Sequence, residues 1–243
     1  MDARARSGAV AVVLAAGSGT RMGADRNKAY LPLAGRRMLS WSLGSIVEVP
    51  ELVRTILVIR PDDRARAMRT LDREVPDLAV EIIDGGDSRH QSEYHALNYL
   101  APDIESGAVD IVLIHDAARP LAGPGMMRSA IRVARRFGGA VPGVEAHDLV
   151  TVESDGKLSE LQSQGRYIRV QTPQAFQAVP LLRAYRQAAA EHFEGTDTSS
   201  SVEKFSDIEV RSFQGDPQNM KLTFSQDLFL AERLLANTHH RLR

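Results

Sequence analysis

The chain has 243 residues, with 30 basic and 31 acidic side chains and no cysteine. That length suits one large α/β domain, and we expect residues 1–243 to form a single domain. The balanced charge argues against broad attraction to nucleic acid or to a membrane. The lack of cysteine excludes disulfides and thiolate metal sites, which favours a cytoplasmic protein. Residues 1–8 do not resemble a signal peptide, and no apolar run has the length of a membrane span.

The first predicted strand covers residues 9–15, an unbroken apolar run typical of a strand buried on both faces. A turn follows in which Gly17 and Gly19 let backbone N–H groups face a phosphate. Arg21 and Lys28 add two cations to the same loop, which suits a polyphosphate ligand. An ordinary strand-to-helix turn with a solvated Arg21 is the alternative that this motif alone leaves open.

Strands and helices then alternate along the chain. Further strands are predicted at residues 53–59, 80–83 and 111–114, with helical patterns near 38–48, 62–74, 91–100 and 124–137. This alternation is typical of a parallel, doubly wound sheet, in which ligands bind at the carboxyl ends of the strands. Three loops at such ends are therefore candidate binding segments, at residues 16–28, 84–92 and 115–120.

The loop over residues 84–92 contains two adjacent glycines that allow close approach of a planar or charged ligand. Arg89 and Ser92 supply hydrogen-bond donors, and Asp87 can accept a bond from a base amino group or a ribose. A solvated turn with a helix cap at Ser88 is the alternative.

In the loop over residues 115–120, Asp116 ends a buried strand, a common place for a carboxylate that holds Mg²⁺ near phosphates. The alternative is a structural acid that caps a helix or pairs with Arg119. For His115 the pattern favours a hydrogen-bonded structural role over a catalytic one.

Residues 145–171 interrupt the alternation. Leu149 to Glu153 and the stretch from Lys157 onward read as two strands joined by a turn at Gly156. Such a hairpin can project as an arm, or it can be an edge hairpin of the same sheet. Because an isolated hairpin is marginally stable in water, we expect the apolar side chains of a projecting arm to pair with a second copy of the chain.

Taken together in this order, these segments resemble the CTP-dependent cytidylyltransferases of polyol phosphates, best known from the 2-C-methyl-D-erythritol 4-phosphate enzymes. The resemblance covers roughly residues 9–235. The matching segments are Ala15-Ala-Gly-Ser-Gly-Thr-Arg-Met22, Lys28 with Tyr30, Asp84-Gly-Gly-Asp-Ser-Arg89 with Ser92, His115-Asp-Ala-Ala-Arg-Pro120, Thr172-Pro-Gln-Ala-Phe176, Thr196-Asp197, Asn219-Met-Lys-Leu-Thr223 and Asp227-Leu228.

The resemblance implies an α/β fold, a Rossmann-like nucleotidyltransferase with a mostly parallel sheet and a projecting β-arm that builds a homodimer. It also implies CTP as a substrate and Mg²⁺ as the cofactor. The residues it assigns to catalysis are Arg21, Lys28 and Lys221. Those it assigns to the nucleotide are Ala15, Ala16, Gly17, Ser18, Gly19, Gly85, Gly86, Asp87, Arg89 and Ser92. The residues expected at the second substrate are Asp116, Arg119, Arg166 and Thr172, with Asp116 also at the metal.

The implied reaction is an in-line attack by a substrate phosphate on the α-phosphorus of CTP, which releases pyrophosphate. An ionised phosphate is already a nucleophile, so positioning and charge stabilisation supply most of the barrier reduction. The chain matches this demand, because its motifs supply cations and backbone donors and contain no Ser-His-Asp or Cys-His constellation.

The chain departs from the family pattern at several positions. The proline before the loop lysine is Asn27, the glutamine after it is Ala29, and the acid after Thr196-Asp197 is Thr198. On the polyol-phosphate side, the usual threonine, lysine and arginine are replaced by Leu149, Thr151 and Gln164. Because faces alternate along a strand, Arg166 rather than Arg169 is expected to take over the contact with the substrate phosphate, across the dimer interface.

Three functions are consistent with these observations. The first is CMP transfer to 2-C-methyl-D-erythritol 4-phosphate in isoprenoid precursor synthesis. The second is the same transfer to ribitol 5-phosphate or another polyol phosphate. The segment Leu149 to Ser154 is similar to the corresponding segment of the ribitol 5-phosphate enzymes. The third is a non-catalytic nucleotide-binding protein, against which the retained Arg21, Lys28 and Lys221 argue, because a regulator needs no transition-state cations.

Overall fold

The computed structural model describes residues 7–17, 27–159 and 165–241. Its strands, numbered in chain order, are β1 (Gly8–Leu14), β2 (Pro32–Leu33), β3 (Arg36–Arg37), β4 (Leu52–Ile59), β5 (Glu81–Asp84), β6 (Val109–Asp116), β7 (Gly138–Glu145), β8 (Thr151–Val152), β9 (Leu158–Ser159), β10 (Ile168–Val170), β11 (Gln174–Gln177) and β12 (Glu209–Gln214). Its α-helices are α1 (Met38–Val47), α2 (Arg64–Glu74), α3 (Arg89–Glu105), α4 (Pro124–Phe137), α5 (Ala178–Ala190), α6 (Thr198–Phe205) and α7 (Ser225–Arg241).

The main sheet has eight strands in the order β10-β7-β11-β6-β1-β4-β5, with β12 paired to β7. Strands β6, β1, β4 and β5 pair in parallel, and β12 pairs in parallel with β7. Strands β10 and β11 run antiparallel to their neighbours. The mostly parallel sheet that the sequence predicts is therefore confirmed.

Helices cover both faces of the sheet, and the alternation of side chains along β1 shows how. Ala9, Ala11 and Val13 belong to the apolar cluster that α1 and α4 complete. Val10 and Val12 belong to the cluster on the other face, with α3 and α5. All five side chains are fully buried, which is why this strand is apolar at every position instead of every second one. Within the described residues, no helix combines the length and the apolarity that crossing a bilayer requires.

The predicted strands and helices are present, with ends that shift by a few residues. The first strand was expected at 9–15 and is Gly8–Leu14, and the helix expected near 91–100 extends over Arg89–Glu105. Strands β11 and β12 were not predicted, because short segments without strong alternation carry little signal. The single-domain organisation of residues 1–243 stays a prediction.

The arm, residues 145–171, combines both alternatives that the sequence allowed. Its tip is a separate two-stranded hairpin in which Val152 of β8 pairs with Leu158 of β9. Gly156 has a φ of +86° in the turn, a conformation that favours glycine. Its base belongs to the main sheet, because β10 pairs with β7 at the sheet edge. The predicted hairpin is thus confirmed, while its role in dimerisation stays a prediction.

Candidate active site

A cavity of about 630 Å³ opens where β1, β4, β5 and β6 end. The residues that directly follow or close these strands, Ala15, Arg60, Gly85 and Asp116, all line it. Eleven of the predicted site residues come together here. They are Ala15, Ala16, Gly17, Lys28, Gly85, Gly86, Asp87, Arg89, Ser92, Asp116 and Lys221.

One wall of the cavity is the loop between β5 and α3. A Cβ atom on Gly85 would lie 2.8 Å from both the Ala16 Cβ and the Ser92 Oγ, so this position admits no side chain without rearrangement. The Ser92 hydroxyl accepts a hydrogen bond from the Gly86 N–H at 3.1 Å, and the Asp87 N–H donates to the side chain of Gln91 at 3.0 Å. The loop is held close to the first strand, and a flat ligand can lie against its backbone.

The floor of the cavity carries Asp116, with one cation on each carboxylate oxygen. Lys221 Nζ lies 2.7 Å from Oδ2, and Arg89 Nε lies 3.3 Å from Oδ1. Burial alone would raise the pKa of Asp116, but the charges of Arg89 and Lys221 outweigh it and hold that pKa well below its usual range. Asp116 is therefore ionised at neutral pH, and it orients two cations toward the space where phosphates would lie.

The segment over residues 219–223 places Lys221. Leu222 donates its N–H to the Ala118 carbonyl at 2.8 Å, so this segment runs beside the loop that follows β6. Asn219 is buried and donates from Nδ2 to the Thr172 carbonyl at 2.9 Å. The backbone is thus fixed on both sides of Lys221.

Lys28 reaches the same region from the loop after β1. Its Nζ donates to the Leu222 carbonyl at 3.1 Å. A short 3₁₀ helix covers Lys28–Tyr30. Asn27, the position where the family carries proline, is buried and caps the start of this helix. Its Nδ2 donates to the Ala15 carbonyl at 2.5 Å and to Asp63 at 2.9 Å, while its Oδ1 accepts from the Ala29 N–H at 3.1 Å.

Three predicted substrate-binding residues do not line the cavity. Thr172 lies behind Asp116, where its Oγ1 accepts from the Asp116 N–H at 3.0 Å. Arg119 donates to the carbonyls of Asn219, at 2.8 Å, and Val170. Arg166 lies on the arm, 86% exposed, and pairs with Glu145 at 2.8 Å. Within one chain, Thr172 and Arg119 brace the site from behind, and Arg166 is not among the residues that line it.

Arg166 comes two residues before β10 begins, so the alternation of a strand does not determine its direction. Arg169 lies within β10, 3.9 Å from Asp148, and is 70% exposed. The preference for Arg166 over Arg169 therefore loses its geometric basis, although both cations are accessible. Ser18, Gly19, Arg21 and Gln164 lie outside the described residues.

His115 has the structural role that the sequence favours. It is fully buried, and its Nδ1 lies 3.1 Å from the Thr172 hydroxyl. Burial lowers its pKa to about 4, so the ring is neutral at neutral pH.

Arg60 was not among the predicted site residues, and it lines the cavity directly after β4. The predicted strand at 53–59 already located its carboxyl end, and the rule that selected the other three loops would have selected this residue too. Arg60 pairs with Asp63 at 3.6 Å and adds a fourth described cation to the cavity wall, beside Lys28, Arg89 and Lys221.

The donor set suits a metal ion that is held mainly by a nucleotide. Among the described residues, no group of three or more His, Asp or Glu side chains could hold a metal ion. Asp116 contributes one carboxylate at the cavity floor. Mg²⁺ is commonly bound by one or two carboxylates together with substrate phosphates, so the residues present fit that mode of binding.

A glycine-walled cavity at the strand ends of a mostly parallel sheet, lined by cations, defines an α/β nucleotidyltransferase. The sequence model of the 2-C-methyl-D-erythritol 4-phosphate cytidylyltransferase family matches residues 9–237. Curated proteins of that name from Cereibacter sphaeroides and Geobacillus kaustophilus are 38% and 34% identical to the chain, and each alignment covers 93% of this chain and 96% of the relative. The crystal structure of 4-diphosphocytidyl-2C-methyl-D-erythritol synthase from Anaerococcus prevotii superposes with a TM-score of 0.81 at 27% identity, covering 95% of this chain and 99% of that one.

The chain belongs to the 2-C-methyl-D-erythritol 4-phosphate cytidylyltransferase family. It is therefore an enzyme, a cytidylyltransferase, as its sequence predicts. The alternative of a non-catalytic nucleotide-binding protein is not supported.

Proposed function

We propose that the protein transfers CMP from CTP to 2-C-methyl-D-erythritol 4-phosphate and releases pyrophosphate. The observation that carries this proposal is the convergence of Lys28, Arg89 and Lys221 on one cavity with Asp116 at its floor. The relatives from Cereibacter and Geobacillus are named for this reaction, and 2-C-methyl-D-erythritol 4-phosphate is therefore the acceptor that we favour.

In the proposed reaction an oxygen of the polyol phosphate forms a bond to the α-phosphorus of CTP. The bond from that phosphorus to the bridging oxygen of pyrophosphate breaks, and the leaving group takes the electron pair. Negative charge spreads over the phosphoryl oxygens as this happens. Lys28 and Lys221 are placed to meet it, because both reach the cavity and both are held by neighbouring backbone or by Asp116.

The wall formed by Gly85, Gly86 and Asp87 is the proposed site of the cytosine. Gly85 leaves no room for a side chain in this wall, and the Ser92 hydroxyl holds the wall in place by accepting from the Gly86 N–H. A pyrimidine fits against such a wall, whereas the second ring of a purine requires more room. We infer selection of CTP by shape and by hydrogen bonds along the base edge.

Asp116 is the residue that would hold Mg²⁺, together with phosphate oxygens of CTP. When bound, the ion would neutralise charge on the triphosphate. This role requires Asp116 to be ionised, which its lowered pKa ensures at neutral pH.

On the side of the second substrate, Leu149 and Thr151 stand where the family carries threonine and lysine. Those two replacements favour ribitol 5-phosphate as the second candidate acceptor.

We also propose a homodimer through the arm, supported by the exposure of Leu149, Val150, Val152 and Leu158. The cytoplasm is the proposed location, since a chain without cysteine suits a reducing compartment.

Pyrophosphate release is the test. With CTP and Mg²⁺, we expect turnover with 2-C-methyl-D-erythritol 4-phosphate and little with ribitol 5-phosphate. The reverse order would assign the enzyme to ribitol 5-phosphate, and turnover with neither would overturn both assignments.

Two further measurements belong to the same assay. Replacing CTP with ATP or GTP should lower kcat/KM by at least ~100-fold, as expected when a buried polar edge is left unpaired. EDTA should abolish activity and Mg²⁺ should restore it. Equal turnover with ATP would contradict the proposed base site, and activity in EDTA would contradict the role of the metal.

A further inference from the structure

Below the cavity, helix α3 buries a carboxylate that no part of the proposed reaction uses. Glu93 is only 1% exposed and does not line the cavity. Its Oε1 accepts from Arg89 Nη1 and from the Thr198 hydroxyl, each at 2.6 Å. Its Oε2 accepts from the Tyr185 hydroxyl at 2.5 Å. A buried charge is costly unless it is paired and hydrogen-bonded, and here each oxygen has a partner.

The partners of Glu93 connect it to the cavity floor. Arg89 lies one helical turn before Glu93 and is 26% exposed at the cavity wall. Its Nη1 is held by Glu93, while its Nε makes the longer contact of 3.3 Å with Asp116. Glu93 therefore fixes the guanidinium at Nη1, on the side away from the cavity. The rest of the guanidinium faces the cavity and Asp116.

Thr198 indicates why the carboxylate is at position 93. The Thr198 hydroxyl lies within 3.3 Å of Arg89 Nη1 and bonds the same oxygen of Glu93 that Arg89 contacts. Side chains from α6 and α3 thus meet at one guanidinium nitrogen. A carboxylate could reach that nitrogen from either helix, and this chain, with threonine at 198, carries it on α3.

We propose that Glu93 is a positioning residue that holds the Arg89 guanidinium at the wall of the nucleotide cavity. It acts through Arg89 and does not touch the substrate. The proposal rests on the proposed function to the extent that Arg89 contacts CTP. The negative charge of Glu93 is the required feature. Without it, Asp116 would be the one carboxylate among the described residues that balances both Arg89 and Lys221 at this site.

The first experiment measures CTP affinity by isothermal titration calorimetry with wild type and Glu93→Gln. Glutamine keeps the shape and removes the charge; its oxygen can still accept from Arg89 and Thr198, while its NH2 group donates to the Tyr185 hydroxyl instead of accepting from it. We expect the Kd for CTP to rise about tenfold, since a hydrogen bond to a charged partner exceeds a neutral one by about that factor. Glu105→Gln is the matched control, because Glu105 ends the same helix and pairs with Arg186 at the surface. It should bind CTP as wild type does.

A second variant separates positioning from simple support of the fold. Glu93→Gln combined with Thr198→Asp returns a carboxylate to the Arg89 nitrogen from α6, and we expect it to recover most of the CTP affinity. Recovery of the melting temperature without recovery of CTP affinity would reduce Glu93 to a structural role. Unchanged CTP affinity in Glu93→Gln itself would overturn the proposal.

A third measurement needs no nucleotide. Glu93→Gln should lower the melting temperature in the wild-type background and raise it in an Arg89→Met background, where the carboxylate is buried without its cation. An equal change in both backgrounds would show that Arg89 and Glu93 are not coupled, and would also overturn the proposal. Failure of wild type to bind CTP would instead contradict the proposed function, so the two failures are distinguishable.

Discussion

In the cavity, the side chain of Asp116 is 10% exposed and lies between Lys221 and Arg89. On the arm, Val152 and Leu158 face each other across the hairpin, and each is 63% exposed. The first region has its charges paired, its backbone fixed and its apolar surroundings filled within one chain. The second presents apolar side chains to solvent on strands of two residues.

The contrast separates two kinds of construction. The cavity is preorganised, because the carbonyls and carboxylates that orient its cations come from the same chain. The hairpin of the arm is too short to be stable by itself in water. The nucleotide half of the site should therefore be insensitive to protein concentration, while the arm should depend on its partner.

The largest effect is expected from the cavity lysines. Lys28→Ala or Lys221→Ala should each remove about 3–4 kcal/mol of transition-state stabilisation, measured from the fall in kcat/KM. We expect kcat to fall too, because both cations act on charge that grows in the transition state. Lys204→Ala is the control, since Lys204 lies over the rings of Phe193 and Phe205 and does not line the cavity. A rise in KM with unchanged kcat would limit the lysines to binding CTP in the ground state.

The next effect concerns the arm. Leu158→Asp should weaken a homodimer by roughly 30-fold or more, since a charge would replace an apolar contact in the interface. Multi-angle light scattering across a dilution series measures this. Val47→Asp serves as the control, an exposed apolar residue at the end of α1 and away from the arm. A stable and fully active wild-type monomer would contradict the dimer.

The sequence predicts much of the backbone in both the cavity and the hairpin of the arm, and it predicts individual side-chain contacts less well. Unbroken apolar runs located the core strands, and the loops at their ends located most of the cavity, because in parallel sheets ligand sites follow from topology. Arg60 falls under the same rule, since it directly follows β4 at the same edge of the sheet. The hairpin was also readable, since Gly156 marks its turn.

Other features depend on contacts that are distant in the chain. Glu93, four residues after Arg89, reads as half of a solvated helix pair. Its burial follows from the packing of α3 against α5 and α6, which places Tyr185 and Thr198 over it. The direction of Arg166 could not be predicted either, because it lies outside the strand whose alternation would have fixed it.

A smaller effect distinguishes the two arm cations. With CTP saturating, Arg166→Ala or Arg169→Ala should raise the KM for the polyol phosphate about tenfold if that arginine contacts the phosphate of the partner's substrate. We expect this of Arg166, because it stands two residues after Gln164, the position of the family's arginine, and Arg169→Ala is the matched comparison. A selective effect of Arg169→Ala would transfer the role to Arg169. No effect of either would mean that the phosphate is held elsewhere and would favour a different polyol.

An effect on stability, instead of on activity, should come from Asn27, inside the cavity wall. Asn27→Ala removes the side-chain donor to the buried Ala15 carbonyl and one partner of Asp63, which keeps Arg60 and Arg66, so the free energy of unfolding should fall by about 1–3 kcal/mol. Asn27→Pro should lose less. The φ of −57° at this position suits proline, which also stabilises by about 0.4–1 kcal/mol through the unfolded chain.

Urea unfolding measures both Asn27 variants, with Asn98→Ala on the exposed face of α3 as the control. Because the bonds of Asn27 lie within one chain, the loss should be the same at every protein concentration, whereas the loss in Leu158→Asp should shrink on dilution as the wild-type dimer dissociates. A loss in Asn27→Ala that varied with concentration would mean that the cavity wall, too, depends on the partner subunit.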